Sequence, residues 1–537
     1  MTPGVVSFTF CTNFTLINRV SNVCTTIRLL RRTFRHHALY FSSFTGNKTS
    51  ILSDITHTFQ RTLNSVTPDS RFFWNERPLA HLSNDLLLQY SPPCTSAFVS
   101  CSNISINQDL SAPLSYRQIL ISRRSKYEAG TRFTKRGADN SGNVANFAET
   151  EQIILINGTL FSHVQIRGSI PLQWSSPADV INYNPPVRLG VDPIAHAKSL
   201  RAHLVELWRL YGSSIIFVNL IDKIDHQGRL GRAFDAVLSA VLDVWSRAGG
   251  KADHIWFDFH AECKSRGKYT NLIKLLNLCR PSLDSQKFLI LNTTSGRINS
   301  LQNGIIRTNC MDCLDRTNVV QTILARYMLF QALLEVKRSQ KRLIPIANIV
   351  AFRKKNPLSL PWSQAETAHR LLWADNADHI SMLYAGTNAL KRGFTRTGMR
   401  TIGGKMEDGV NSLTRYYKNN FEDIRRQDGI DLMVGERNPR VKNQKDFNAP
   451  SMGNTSSNST KYDLIMKEID RRMSGVYPLW VEESEDNDEA KDTQKDAMEV
   501  LTVGNKLKIL AIIFAMVKAP NVASFIILCL LLPGLVS

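Results

Sequence analysis

Acidic residues are absent from the first 53 positions, while Arg28, Arg31, Arg32 and Arg35 cluster there. Mitochondrial transit peptides share that composition; a secretory signal does not, because the apolar run near Val5 has no positive charge ahead of it. Metal-ligand spacing is missing too. Of nine cysteines only Cys310 and Cys313 form a Cys-x-x-Cys pair, and without a second pair or a close Cys/His set a zinc centre lacks ligands. The irregular spacing of the rest gives no disulfide framework, so a reducing compartment is expected. No module of interleaved basic and aromatic residues points to nucleic acid. Nor does any run of about twenty apolar residues cross a bilayer unbroken: 509–517 and 522–532 are separated by Lys518, Pro520 and Asn521. One continuous helix would bury Lys518 near mid-membrane at about 2.5–3.5 kcal/mol and break at Pro520. Residues 505–537 are therefore expected to be a membrane anchor, as a hairpin, a re-entrant pair or a marginal span over 519–537, rather than soluble core helices.

Positive charge is what the chain has in excess. Its 537 residues carry a formal +20, and from Glu482 onward nine acids face five lysines, which leaves +24 for residues 1–481. Such a surface suits an anionic partner, and with no nucleic-acid module in sight the face of an acidic membrane is favoured. The length implies two or three domains plus tails. Residues 1–37 read as a divergent or disordered start. From 38 to 180 short alternating segments such as 119–123, 152–156 and 162–167 predict an antiparallel β-rich lobe, with Arg123, Arg124 and Lys126 as a solvated strand end. Over 181–440 helix and strand alternate. Helices are expected at 193–211 and 230–248 and strands at 214–221, 254–260 and 288–292, which makes an α/β catalytic domain with its site at the carboxyl ends of a parallel sheet. Residues 441–504 read as a polar, partly acidic linker.

Residues 304–320 run from a short apolar strand through a polar turn into a long helix pattern, with Cys310 at the strand end and Arg316 where the helix begins. A five-residue loop there can wrap its N–H groups around a phosphate, backed by the helix dipole. The same field would lower the Cys310 pKa, and a thiolate facing phosphate is a nucleophile for phosphoryl transfer that Arg316 can assist by holding two equatorial oxygens. The spacing alone is weak evidence. It is strengthened because no other cysteine has an arginine at that distance, and Cys310 lies between a strand and a helix. Two rivals remain at this point: a small buried cysteine at a strand end, and a Cys310/Cys313 redox pair. The candidate phosphate-binding residues are Asn309, Met311, Cys313, Leu314, Asp315 and Thr317. Two acids in an anion loop must not both be charged and inward-facing, so Asp312 is expected to carry a proton, donating to the leaving oxygen and then activating water, while Asp315 caps the helix. Asp258 and His260, ending the expected strand on one face, are candidate supporting residues; a lone histidine there is more often structural.

The stretch Arg-Thr-Asn-Cys-Met-Asp-Cys-Leu-Asp-Arg-Thr-Asn-Val-Val-Gln at 307–321 resembles the catalytic motif of the Sac-domain phosphoinositide phosphatases. Further likeness lies in Phe72 to Asn75, Ile121 to Ser125, Ala129 to Arg132, Gly142 to Phe147, Val164 to Pro171, Phe257 to His260, Trp373 to Asn376 and Arg415 to Phe421, so that about 38–440 is covered. The resemblance implies a β-rich N-terminal lobe packed on an α/β catalytic domain, and the usually longer β-rich start of such proteins makes 1–37 read as truncated or divergent rather than as targeting. It implies hydrolysis of phosphatidylinositol phosphates, the 4-phosphate above all, through a phosphocysteine and without cofactor or metal. The partner would be a phosphoinositide lipid in an anionic membrane. The tail resembles a shortened form of the C-terminal hairpin of endoplasmic-reticulum members, which implies a cytosolic catalytic domain at that membrane or the Golgi. The rival functions are a non-catalytic phosphoinositide-binding scaffold and a protein phosphatase using the same loop.

Overall fold

Alternation of polar and apolar residues from 95 onward is realised as a run of long hairpin strands in the computed structural model. The structure describes residues 54–63, 67–80, 92–106, 114–178, 185–247, 249–263, 268–339, 358–390, 392–397 and 402–435, with the short pieces 8–10, 33 and 39–42. The expected linker and anchor over 441–537, and most of 1–37, lie outside them. Strands β1 (Phe8–Phe10), β2 (Leu39–Ser42), β3 (Thr95–Ile106), β4 (Leu114–Arg124), β5 (Ala148–Ile156) and β6 (Thr159–Gly168) follow one another antiparallel. A two-stranded piece, β7 (Trp174–Ser175) with β8 (Arg188–Leu189), leads to the second half. There β9 (Ser214–Asn219), β10 (Lys251–Trp256) and β11 (Leu289–Asn292) alternate with helices, and β12 (Ile298–Ser300) and β13 (Ile305–Asn309) follow β11 with no helix between.

The expectation of two lobes packed against each other is corrected by the strand pairing. β13 inserts between β6 and β9, parallel to both, and β10 continues parallel beyond β9, so one eleven-stranded mixed sheet runs through both halves. The strand expected at 288–292 is present as β11, but it pairs antiparallel with β6 instead of joining the parallel set.

The parallel strands are covered on both sides, as their nearly unbroken apolar character requires. The longer helices among the described residues are α1 (Pro193–Tyr211), α2 (Asp225–Arg247), α3 (Leu272–Gln286), α4 (Asp315–Ser339), α5 (Ser363–Ala385), α6 (Ile402–Phe421) and α7 (Asp423–Val434). Successive residues of β9 face opposite ways. Ile216 and Val218 share a buried cluster with Leu275 and Leu283 of α3 and Val320 and Leu324 of α4. Phe217 meets Phe234 of α2 edge-on at 5.5 Å. Among the described residues α4 has the length and apolar content to cross a bilayer, but 83% of its apolar window is buried in the domain, which makes it the core helix behind the loop. Arg123 and Arg124 are not a solvated strand end. Arg123 is buried and bridges to Glu149 at 3.3 Å and Glu151 at 2.8 Å on β5, while Arg124 is buried and donates to the Gly130 carbonyl at 2.6 Å.

Candidate active site

Gly304 opens β13 with φ of +127°, and a side chain there would meet the Ser214 carbonyl at 2.4 Å, so glycine is what lets the strand settle beside β9. Past Asn309 the chain leaves the sheet at Cys310, turns, and enters α4 at Asp315. Cys313 takes a left-handed conformation, φ 51°, at a cost of about 1–3 kcal/mol for a non-glycine residue. Four contacts hold that turn. The Cys313 thiol donates to the Cys310 carbonyl at 3.3 Å, and Arg167 Nη1 donates to the Cys313 carbonyl at 3.4 Å. Asn146 Nδ2 donates to the Asp312 carbonyl at 2.7 Å and Arg136 Nη1 to the Met311 carbonyl at 3.2 Å. With its carbonyls taken up in this way, the loop keeps the amide N–H groups of 311–314 without an acceptor among the described residues. They sit at the start of a 25-residue helix, an arrangement suited to a tetrahedral oxyanion.

Cys310 is only 2% exposed. Arg316 turns back toward it from the first turn of α4, and donates to the Leu220 carbonyl at 3.1 Å, Asp222 at 3.2 Å and Gln227 at 3.2 Å. Burial would lower the Arg316 pKa, but Cys310, Asp222 and Asp312 outweigh it and hold the guanidinium above its usual range. Asp312 faces two arginines from the β-rich half: Arg132 at 2.8 Å and Arg136 at 2.5 Å. Burial opposes its ionisation, yet these two charges hold the carboxyl well below the usual carboxylate range. The protonated Asp312 expected from the sequence is therefore corrected: in the resting site it is a carboxylate. Behind the loop, Arg167 and Arg307 are fully buried and have no carboxylate partner among the described residues; burial lowers them to about 10 and about 9, so both remain cationic at neutral pH.

Residues 12–264 match the SacI homology domain, a span that ends before the loop. The chain is 36% identical over 427 residues to the phosphatidylinositol-3-phosphatase SAC1 of Drosophila melanogaster, covering 76% of this chain and 65% of that protein. It is 34% identical over 435 residues to the protein of the same name in Saccharomyces cerevisiae, 77% of this chain and 64% of that one. To the phosphoinositide phosphatase SAC6 of Arabidopsis thaliana it is 36% identical over 367 residues, 68% and 57%. Through the matched domain and these relatives the chain is similar to the Sac-domain phosphatases. It spans 57–65% of the length of these relatives.

The remaining residues expected at the site are placed as follows. Asp315 does not cap α4: its carboxylate accepts from the Leu390 N–H at 2.6 Å and from Arg415 Nη1 at 2.9 Å, which turns it away from the loop mouth. Leu314 buries its side chain against Ala148, Ile380 and Tyr384, leaving only its backbone for a ligand. Asn309 accepts from Arg307, Met311 is half-buried, and Thr317 is buried with no partner for its hydroxyl among the described residues. Cys313 is a neutral thiol, pushed up to about 12 by burial with Cys310 adding to it. Asp258 and His260 are not on a strand face. β10 stops at Trp256, Asp258 accepts from the Ala261 N–H at 2.9 Å at the head of the short helix Phe259–Cys263, and His260 is half-exposed, 3.0 Å from Asp222. Sequence reasoning missed Arg132, Arg136, Arg167, Arg307, Asp222, Gln227 and Arg415. The one local signal was a charged residue inside each of two central strands, Arg167 in Thr159–Gly168 and Arg307 in Ile305–Asn309.

Proposed function

We propose that this chain hydrolyses the phosphomonoester of phosphatidylinositol phosphates, the 4-phosphate in particular, through a phosphocysteine. The observation that carries the reading is Cys310 at the end of a central strand, backed by free loop N–H groups and met by Arg316. The Cys310 thiolate attacks phosphorus, the bond to the inositol oxygen breaks, and the departing oxygen takes up a proton. Water then attacks the phosphocysteine, giving up a proton as inorganic phosphate leaves and the thiolate returns. Loop N–H groups and Arg316 hold the equatorial oxygens in both steps, and such a thiolate mechanism needs no metal. As a carboxylate, Asp312 suits the second step as the base that activates water. Residues 505–537 are proposed to hold the domain at an endoplasmic-reticulum-type membrane.

Phosphate release from short-chain 3-, 4- and 5-monophosphates and from a phosphopeptide decides the substrate, since two of the three relatives are named 3-phosphatases and the third name gives no position. Cys310→Ser should abolish turnover while leaving lipid binding, because the hydroxyl is far less ionised at neutral pH. Arg316→Lys should also fail, since an ammonium cannot make the planar two-point contact. Phosphate release by the pure Cys310→Ser protein would sink the nucleophile assignment.

A further inference from the structure

Three large apolar side chains stand in solvent at one end of the parallel strands: Val191 at 85% exposure, Ile194 at 51% and Ile224 at 67%. Their common location follows from the topology. β9 and β13 are parallel, so the carboxyl end of β9 lies at the same end of the sheet as Cys310. α1 ends at Tyr211, just before β9 begins at Ser214, and α2 begins at Asp225, shortly after β9 ends at Asn219. With such short connections both helices run opposite to β9, and both begin at the end where Cys310 lies. Val191 and Ile194 flank the first residue of α1, and Ile224 immediately precedes α2. Arg229 Nη2 donates to the Val187 carbonyl at 3.0 Å, tying the two segments together. The rim adjoins the candidate site directly, because Asp222 and Gln227 on either side of Ile224 both accept from Arg316.

The charge around these side chains is positive. Segments 186–198 and 222–232 hold five lysines and arginines (Arg188, Lys198, Lys223, Arg229, Arg232) against three aspartates. Two of those aspartates are engaged, Asp222 by Arg316 and Asp192 by the Ile194 N–H at 2.9 Å. Beside Ile224 an open depression of about 430 Å³ is lined by Asp225, His226, Arg229 and Arg232. Exposed aliphatic side chains among basic groups form a surface that sinks its apolar part into the headgroup region while its charges meet anionic lipid.

We propose that this rim is a membrane-docking surface: Val191, Ile194 and Ile224 enter the interface of an anionic bilayer and the surrounding basic residues hold its headgroups, which brings the Cys310 loop down onto a lipid-borne phosphate. The inference rests on the phosphoinositide reading of the site, but its first test does not require turnover. Hydrogen exchange of the full chain is compared without vesicles, with phosphatidylcholine vesicles, and with phosphatidylcholine–phosphatidylserine vesicles, all free of phosphoinositide. Peptides covering 188–195 and 221–227 should be protected by the anionic vesicles, and peptides around the exposed Leu278 of α3 should not. No protection at the rim overturns the proposal, whatever the enzyme assay gives; protection that grows with protein concentration in the absence of lipid overturns it in favour of a second copy of the chain. The second test uses Val191→Glu and Ile224→Glu. Each should lower hydrolysis of vesicle-borne substrate about tenfold, the order expected when an aliphatic side chain loses apolar burial, with short-chain soluble substrate turned over as by the unaltered chain. Because Ile224 lies two residues from Asp222, an equal loss on both substrates for Ile224→Glu alone leaves Val191→Glu to decide, and an unchanged vesicle rate for Val191→Glu rejects the surface.

Discussion

Asp312 shows how one side chain's chemistry is set by residues far away in sequence. Taken with its neighbours in the loop it reads as an acid that must be neutral beside a phosphate; Arg132 and Arg136, contributed by the β-rich half, make it a carboxylate instead. An ionised carboxylate cannot protonate the leaving oxygen, but it can take a proton from water. Asp312→Asn should therefore leave the first turnover with an aryl phosphate fast, giving a burst of one equivalent of phenol, and slow the steady state about a hundredfold. Stopped-flow release of phenol measures both. A slowed first turnover without a burst would instead make Asp312 the proton donor. The residues between Asn309 and Thr317 were legible because strand, loop and helix are contiguous, so their spacing is their geometry. The arginine wall was not, since nothing within the loop signals that residues near 132 fold against it.

At the scale of elements, the pairing of β4 with β5 decides what the buried arginines do. Arg123 and Glu149 are register partners, and Glu149 also accepts from Arg61 at 2.9 Å and from the Tyr211 hydroxyl of α1. One buried carboxylate thus joins the antiparallel strands to a helix of the second half. Glu149→Gln leaves two guanidiniums short of a counter-charge and should cost about 3–5 kcal/mol, read as a lower urea midpoint with an unchanged slope; a midpoint equal to that of the unaltered chain would mean the network is not strained by the loss. Alternation in 119–123 and 152–156 identified these strands, but it could not say that their charged residues face each other inside the protein. The same period-two pattern in Phe257-Asp258-Phe259-His260 extended β10 too far. Asp258 heads a helix there, and side-chain capping competes with strand in a way that alternation does not register.

For the whole molecule, acid stability draws on three buried histidines, one on a strand of the sheet and two on helices packed against it. Burial lowers His163 of β6 to about 3 and His369 of α5 to about 3, and His203 of α1 is well below its usual range because of burial and then of Arg307. His203 Nε2 accepts from Arg307 Nε at 2.8 Å and has no room for a proton. A group whose folded pKa is depressed contributes stability above its unfolded value near 6.5, and that stability is lost as pH falls toward the folded value. Asp423 acts in the opposite sense: burial raises it to about 6, against Arg426, so its stability is present at low pH and is lost as pH rises through about 6. Between roughly pH 4.5 and 6 the unfolded chain binds three more protons through these histidines and one fewer through Asp423, a net of about two, and His196 and His379, also lowered by burial, act in the same sense, so folding stability should fall by at least about 3 kcal/mol per pH unit of acidification. Above pH 7 these groups are silent. Urea midpoints taken between pH 8 and pH 5 test this, and a midpoint that stays level through pH 5 would show that the three histidines are protonated in the folded chain. Because one eleven-stranded sheet runs through both halves, Glu149→Gln should shift the whole acid limb to higher pH instead of releasing one half of the protein ahead of the other, and circular dichroism and tryptophan fluorescence should report the same midpoint.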